Sequence, residues 1–99
     1  TVEVVPAPEV GMTCTAVCEG MGKRCSVTSL PAINRCETLR QHFVCSSCRD
    51  SMGGDQPAMV QASAPSNVNP GECLVNKAPD LFDCDGSFRH TYRLCPCTA

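Results

Sequence analysis

The chain has 99 residues, of which 10 are cysteine, with one tyrosine, three phenylalanines and no tryptophan. That length suits one domain, and so few aromatics leave a thin core of the kind that small domains reinforce covalently. Charged residues make up 18% with a net charge of −2, and no apolar run nears the roughly 18 residues of a membrane span, so nothing favours nucleic acid, an anionic membrane or a span.

Residues 1–12 hold Pro6, Pro8 and the valines Val2, Val4 and Val5, a composition for extended backbone. They read as an extended N-terminal arm, able to lie along this domain or along a partner. The period changes at Thr13: Cys14, Val17, Cys18 and Met21 fall at i, i+3, i+4 and i+7, one face of a helix. Thr13 is its N-cap, and Gly20 with Gly22 stops it. A second helix is expected over residues 29–43, with Ser29 as cap and Pro31 in the first turn. Its apolar stripe is Leu30, Ile33, Cys36, Leu39 and Phe43, leaving Arg35, Arg40 and Gln41 in water.

Residues 49–72 contain no cysteine, and Gly53-Gly54, Pro57, Pro65 and Pro70-Gly71 each break regular structure, so one long loop is expected there. Short strands follow at residues 73–75, 81–82 and 91–95. In the last, His90, Tyr92 and Leu94 alternate with Arg89, Thr91, Arg93 and Cys95, the period of a half-buried strand. The expected fold class is α+β: a small disulfide-rich domain over residues 13–99, with two short helices, then a small antiparallel sheet.

The cysteines stand at Cys14, Cys18, Cys25, Cys36, Cys45, Cys48, Cys73, Cys84, Cys95 and Cys97. An even number permits five bridges with no thiol left over, and such density belongs to an oxidising compartment. Cys45-Ser-Ser-Cys48 could also be a redox dithiol or half of a zinc site with Cys95-Pro-Cys97, but ligand spacing and a thioredoxin-like context are lacking. Structural disulfides are the preferred reading, with no metal and no cofactor implied. The chain starts at Thr1 without a signal-like run, as a processed chain would. Asn34, Asn67, Asn69 and Asn76 form no glycosylation sequon, which leaves a secreted protein, a secretory-pathway lumen, a plastid lumen and a periplasm all open.

For chemistry, only His42 and His90 titrate near neutrality, and Ser46, Ser47 and Ser87 have no motif around them. Both histidines read as solvated or packed side chains, so no catalytic residue is assigned. Asp80, Asp83 and Asp85 ahead of Gly86 could serve calcium, but they lack the ligand spacing of a calcium loop, and Asp-Gly is a good turn.

Taken end to end, the order is Cys14-x-x-x-Cys18, Cys25, a leucine-rich helix closing on Asn34, then Cys45 or Cys48. Cys73, Leu81-Phe82-x-Cys84 and Tyr92-Arg93-Leu94-Cys95-Pro96-Cys97 complete it. This pattern resembles the cysteine-rich C-terminal region of the N-acetylglucosaminyltransferase V family, Golgi enzymes that branch N-glycans. The closing Arg-Leu-Cys-Pro-Cys is its most specific part. The resemblance covers residues 13–97, leaves out the transferase domains, and implies a stapled α+β module without chemistry of its own. Cys36 and one of Cys45 or Cys48 are additions to the family's shared cysteines, which implies that they pair with each other.

The leading functional expectation is therefore a non-enzymatic interaction module, a structural or docking subunit of a larger protein assembly. A glycan-associated binding module and a secreted inhibitor or toxin-like effector are the alternatives. The arm and the long loop lack staples of their own, so Val2, Val4, Val5, Met52, Met59 and Val60 are the expected partner contacts.

Overall fold

Four residues along an α-helix rise about 6 Å, and two residues along a strand advance about 6.6 Å. Cys14 and Cys18 on a helix can therefore meet Cys95 and Cys97 on a strand without distorting either. The computed structural model, which describes residues 1–99, is organised around that match: Cys14 bonds Cys95 and Cys18 bonds Cys97, each with Cα atoms 5.3 Å apart. Three further disulfides join Cys25 to Cys84, Cys36 to Cys48 and Cys45 to Cys73, so all ten cysteines are paired. Cys36 takes Cys48, one of its two expected partners.

The elements in chain order are β1 (Val2–Pro6), α1 (Cys14–Glu19), β2 (Arg24–Cys25), α2 (Leu30–Ile33), α3 (Cys36–His42), β3 (Cys48–Ser51), β4 (Ala58–Val60), β5 (Cys73–Asn76) and β6 (Thr91–Thr98). The six strands form one sheet in the order β1-β6-β4-β5-β3, with β2 also pairing β6. The α+β class and the disulfide density are as expected, but the sheet is mixed, because β3 runs parallel to β5. All other pairs are antiparallel.

β6 is the centre of the fold. It is flanked by β1 on one side and by β4 and then β2 on the other. Helix α1 is bonded to one face, where Val17 and the cystines pack with Ala7. Leu30, Ile33 and Leu39 cover the other face against Leu94. Five consecutive residues, Arg93 to Cys97, are consequently buried, which corrects the half-buried reading of this strand. Pro96 is tolerated in so central a strand because its backbone faces Ser26, beyond the end of β2. Its carbonyl accepts from the Ser26 N–H, and the Ser26 carbonyl, which an N–H at this position would meet, accepts from Ser29 instead.

Four other expectations are corrected. The arm is extended, but residues 2–6 pair along β6 as β1 and belong to the sheet. The single helix over residues 29–43 is two short helices, broken at Asn34 and Arg35. The Asn34 amide leaves the helix because it pairs with the backbone of Asn76: Nδ2 donates to the Asn76 carbonyl and Oδ1 accepts from its N–H, both at 2.7 Å. The long loop contains β4 and the end of β3, held by β5 and β6, and the strand expected at residues 81–82 is a 3-10 turn, Pro79–Leu81. Thr13 does cap α1, its Oγ1 accepting from the Ala16 N–H at 3.0 Å.

Candidate functional sites: a buried arginine and an apolar groove

The most chemically loaded place in the molecule is around Arg93. Strand β6 carries this side chain inward until it is 1% exposed. Its Nη1 donates to the backbone carbonyls of Asp83 and Gly86, at 2.7 and 2.8 Å. Burial lowers the guanidinium pKa from its usual range, while the charges of Asp55, Asp83 and Asp85 pull it back up. An arginine so placed stays charged. Nε and Nη2 are buried with no protein partner.

Two loops close over it. Gly54 and Gly86 touch through their backbones so closely that a Cβ on Gly86 would stand 2.3 Å from the Gly54 carbonyl oxygen. Thr91 Oγ1 donates to Asp55 Oδ2 at 2.8 Å, and Thr15 Oγ1 donates to Asp85 Oδ1 at 2.6 Å. Asp83 Oδ1 accepts from the Asp85 N–H, a turn built by the side chain. The segment weighed as a calcium loop thus directs its carbonyl oxygens at a guanidinium. The expected reading of Arg93, as an alternating residue of a half-buried strand, missed this role. The available signal was an arginine downstream of three aspartates and a glycine, inside a run with no other charge.

The second feature is an apolar groove of about 310 Å³ between α1 and the segment after β1. Val5, Pro8, Met12, Ala16, Gly20 and Met21 form its walls. Ala16 and Gly20 are one helical turn apart and small, so the helix leaves space where larger residues would fill it.

The sequence candidates are dispersed. His90 is engaged by Gln61, 3.1 Å from Nδ1, and by the edge of Phe88; His42 ends α3. No hydrogen bond joins either histidine to Ser46, Ser47 or Ser87. The two halves of Cys45-Ser-Ser-Cys48 bond different partners, so they form no dithiol. Of the expected partner contacts, Val2 lies exposed on an outer strand and Met52 is 72% exposed beyond β3, the opposite edge of the sheet. Val4 and Met59 are half-buried against the aliphatic core, and Val5 packs beside the cystines. Val60 is 1% exposed and faces Ala64 and Leu74, so it can touch no partner in the folded chain.

Comparison with known proteins agrees with the resemblance carried by the cysteine pattern. The family model for glycosyltransferase family 18 matches residues 1–97. Alpha-1,6-mannosylglycoprotein 6-beta-N-acetylglucosaminyltransferase B of Homo sapiens is 35% identical over 89 residues, and its Mus musculus counterpart is 34% identical over the same length. Each match takes in 88% of this chain and 10% of the relative, in its small C-terminal part. The expectation that the chain is not an enzyme is thereby corrected: its relatives are glycosyltransferases, and it corresponds to a tenth of their length.

Proposed function

Because the chain belongs to glycosyltransferase family 18, we propose that residues 1–99 are the disulfide-stapled module of an N-acetylglucosaminyltransferase, docked on the rest of that enzyme and holding it in its secreted form. The reaction so served is the one in the relatives' names, transfer of N-acetylglucosamine to a mannosylglycoprotein. The supporting observation is the pair of nested bridges, Cys14–Cys95 and Cys18–Cys97, spanning 81 and 79 residues within the matched region. They tie the first helix to the last strand, so the module keeps its shape whatever is attached to it. Five disulfides and the relatives together point to an oxidising compartment of the secretory pathway.

The test is complementation in trans. The transferase polypeptide lacking this segment is co-expressed in a secretory host with residues 1–99 as a separate chain. The chain should co-purify with the truncated enzyme and restore its secreted yield. A truncated enzyme secreted at full yield alone, or one that never retains the chain, overturns the reading.

A further inference from the structure

We propose that the outer edge of β1, with the groove beside it, receives an extended apolar segment carrying basic residues, which adds to the sheet as a further strand. This rests on the reading of the chain as a docked module and names the docking surface. β1 pairs only with β6 and has no neighbour on its other side. The Ala7 N–H donates to the Arg93 carbonyl at 2.8 Å, which sets the parity of the ladder. Residues 3, 5 and 7 turn their backbone groups to β6, so Val2 and Val4 turn theirs outward. Pro6 has no N–H to offer and ends the usable edge. An unpaired edge of this kind is a template for an incoming strand, whose alternate side chains then need pockets. The groove along Val5, Met12, Ala16, Gly20 and Met21 is such a pocket, on the face that α1 covers.

Charge decides the occupant. Glu9 and Glu19, next in sequence to the groove residues Pro8 and Gly20, are exposed and form no ion pair, while Glu3, on the strand face of Val5, is paired with Lys23. This acidic surround favours lysine or arginine on the incoming strand. It also disfavours a second copy of this chain. Antiparallel self-pairing that joins Val2 to Val4 of another copy sets Glu3 directly against Glu3, a like-charge pair at closest approach.

The experiment titrates the isotope-labelled 99-residue chain with a capped peptide alternating lysine and valine, and with its glutamate-for-lysine counterpart. The lysine peptide should shift the amide signals of Val2, Val4 and Met21 and bind about tenfold more tightly than the glutamate peptide. Val4→Pro removes an outward N–H, and Gly20→Leu fills the groove from a helical position where a Cβ meets only ordinary contacts at 3.5 Å. Each should abolish the shifts while the five disulfides remain mapped as before. Equal binding of the two peptides, shifts elsewhere, or concentration-dependent dimers with shifts at the same residues would overturn the proposal. In the trans complementation, both variants should lose co-purification. If the unaltered chain complements and both variants do too, the docking edge is wrong and the module reading stands; if the unaltered chain fails, the module reading itself falls.

Discussion

The end of the molecule built from β1, α1 and β6 and the half built from α2, α3 and β5 solve the same small-domain problem differently. In the first, four of the six buried core residues are half-cystines: Cys14, Cys18, Cys95 and Cys97 beside Ala7 and Val17. In the second, four of the five are aliphatic, Leu30, Ile33, Leu39 and Leu94, with Cys73 alone from a bridge. The first half's bridges span 81 and 79 residues, the second's 12 and 28. A cystine thus does two things here. Near the termini it is the core itself; in the middle it secures elements that already have one.

The sharpest way to break that contrast is to replace Cys14, Cys18, Cys95 and Cys97 together by serine. Cys25–Cys84 would still shorten the released loop, leaving a closure loss of about 3 kcal/mol, to which four buried hydroxyls add. The expected cost is about 5 kcal/mol or more, comparable with the whole stability of so small a domain. Collapse of amide dispersion in the NMR spectrum at 37 °C checks it; a dispersed, native-like spectrum would show that α1 holds to β6 without its bridges.

Next in size is Arg93→Ala, which leaves the Asp83 and Gly86 carbonyls buried without a donor and opens a void under two loops. About 3–4 kcal/mol is expected from urea unfolding. Arg93→Lys should recover only part, because an ammonium lacks the planar fork. Full recovery by lysine would mean that charge alone matters at this site.

Cys36→Ser with Cys48→Ser should cost less, about 2–3 kcal/mol, and leave a folded chain, since Leu30, Leu39 and Leu94 remain packed. Loss of folding here would erase the distinction between the two halves. Val60→Ser sharpens the account of residues 49–72. A partner contact would tolerate it, whereas its burial against Ala64 and Leu74 predicts a loss of about 2 kcal/mol in the isolated chain. The smallest effect is expected at Met52, where serine should change stability by less than about 0.5 kcal/mol.

Much of this fold was readable because its signals are local. Thr13 before an apolar i, i+3, i+4 pattern and a following glycine describe α1 from cap to stop, since a cap and a stripe act within one turn; only Met21, counted on the stripe, lies past the helix end and is exposed. The break at Asn34 was not readable. Every residue around it permits a helix, and the opposing force is a pair of hydrogen bonds to Asn76, 42 residues away. The same holds for β4: Ala58–Val60 sits among glycines and prolines that read as a loop, and it is a strand because β5 and β6 stand on both sides of it.

What the amino-acid sequence determined by itself was the class, the complete pairing of its cysteines and the family, because composition and cysteine spacing survive without knowledge of contacts. The choice among bridges, the burial of Arg93 and the outer position of β1 were decided only by tertiary structure. Each depends on which distant segments flank β6. A central strand buries both faces and both edges of its sequence, and nothing within Thr91–Thr98 states what will lie beside it.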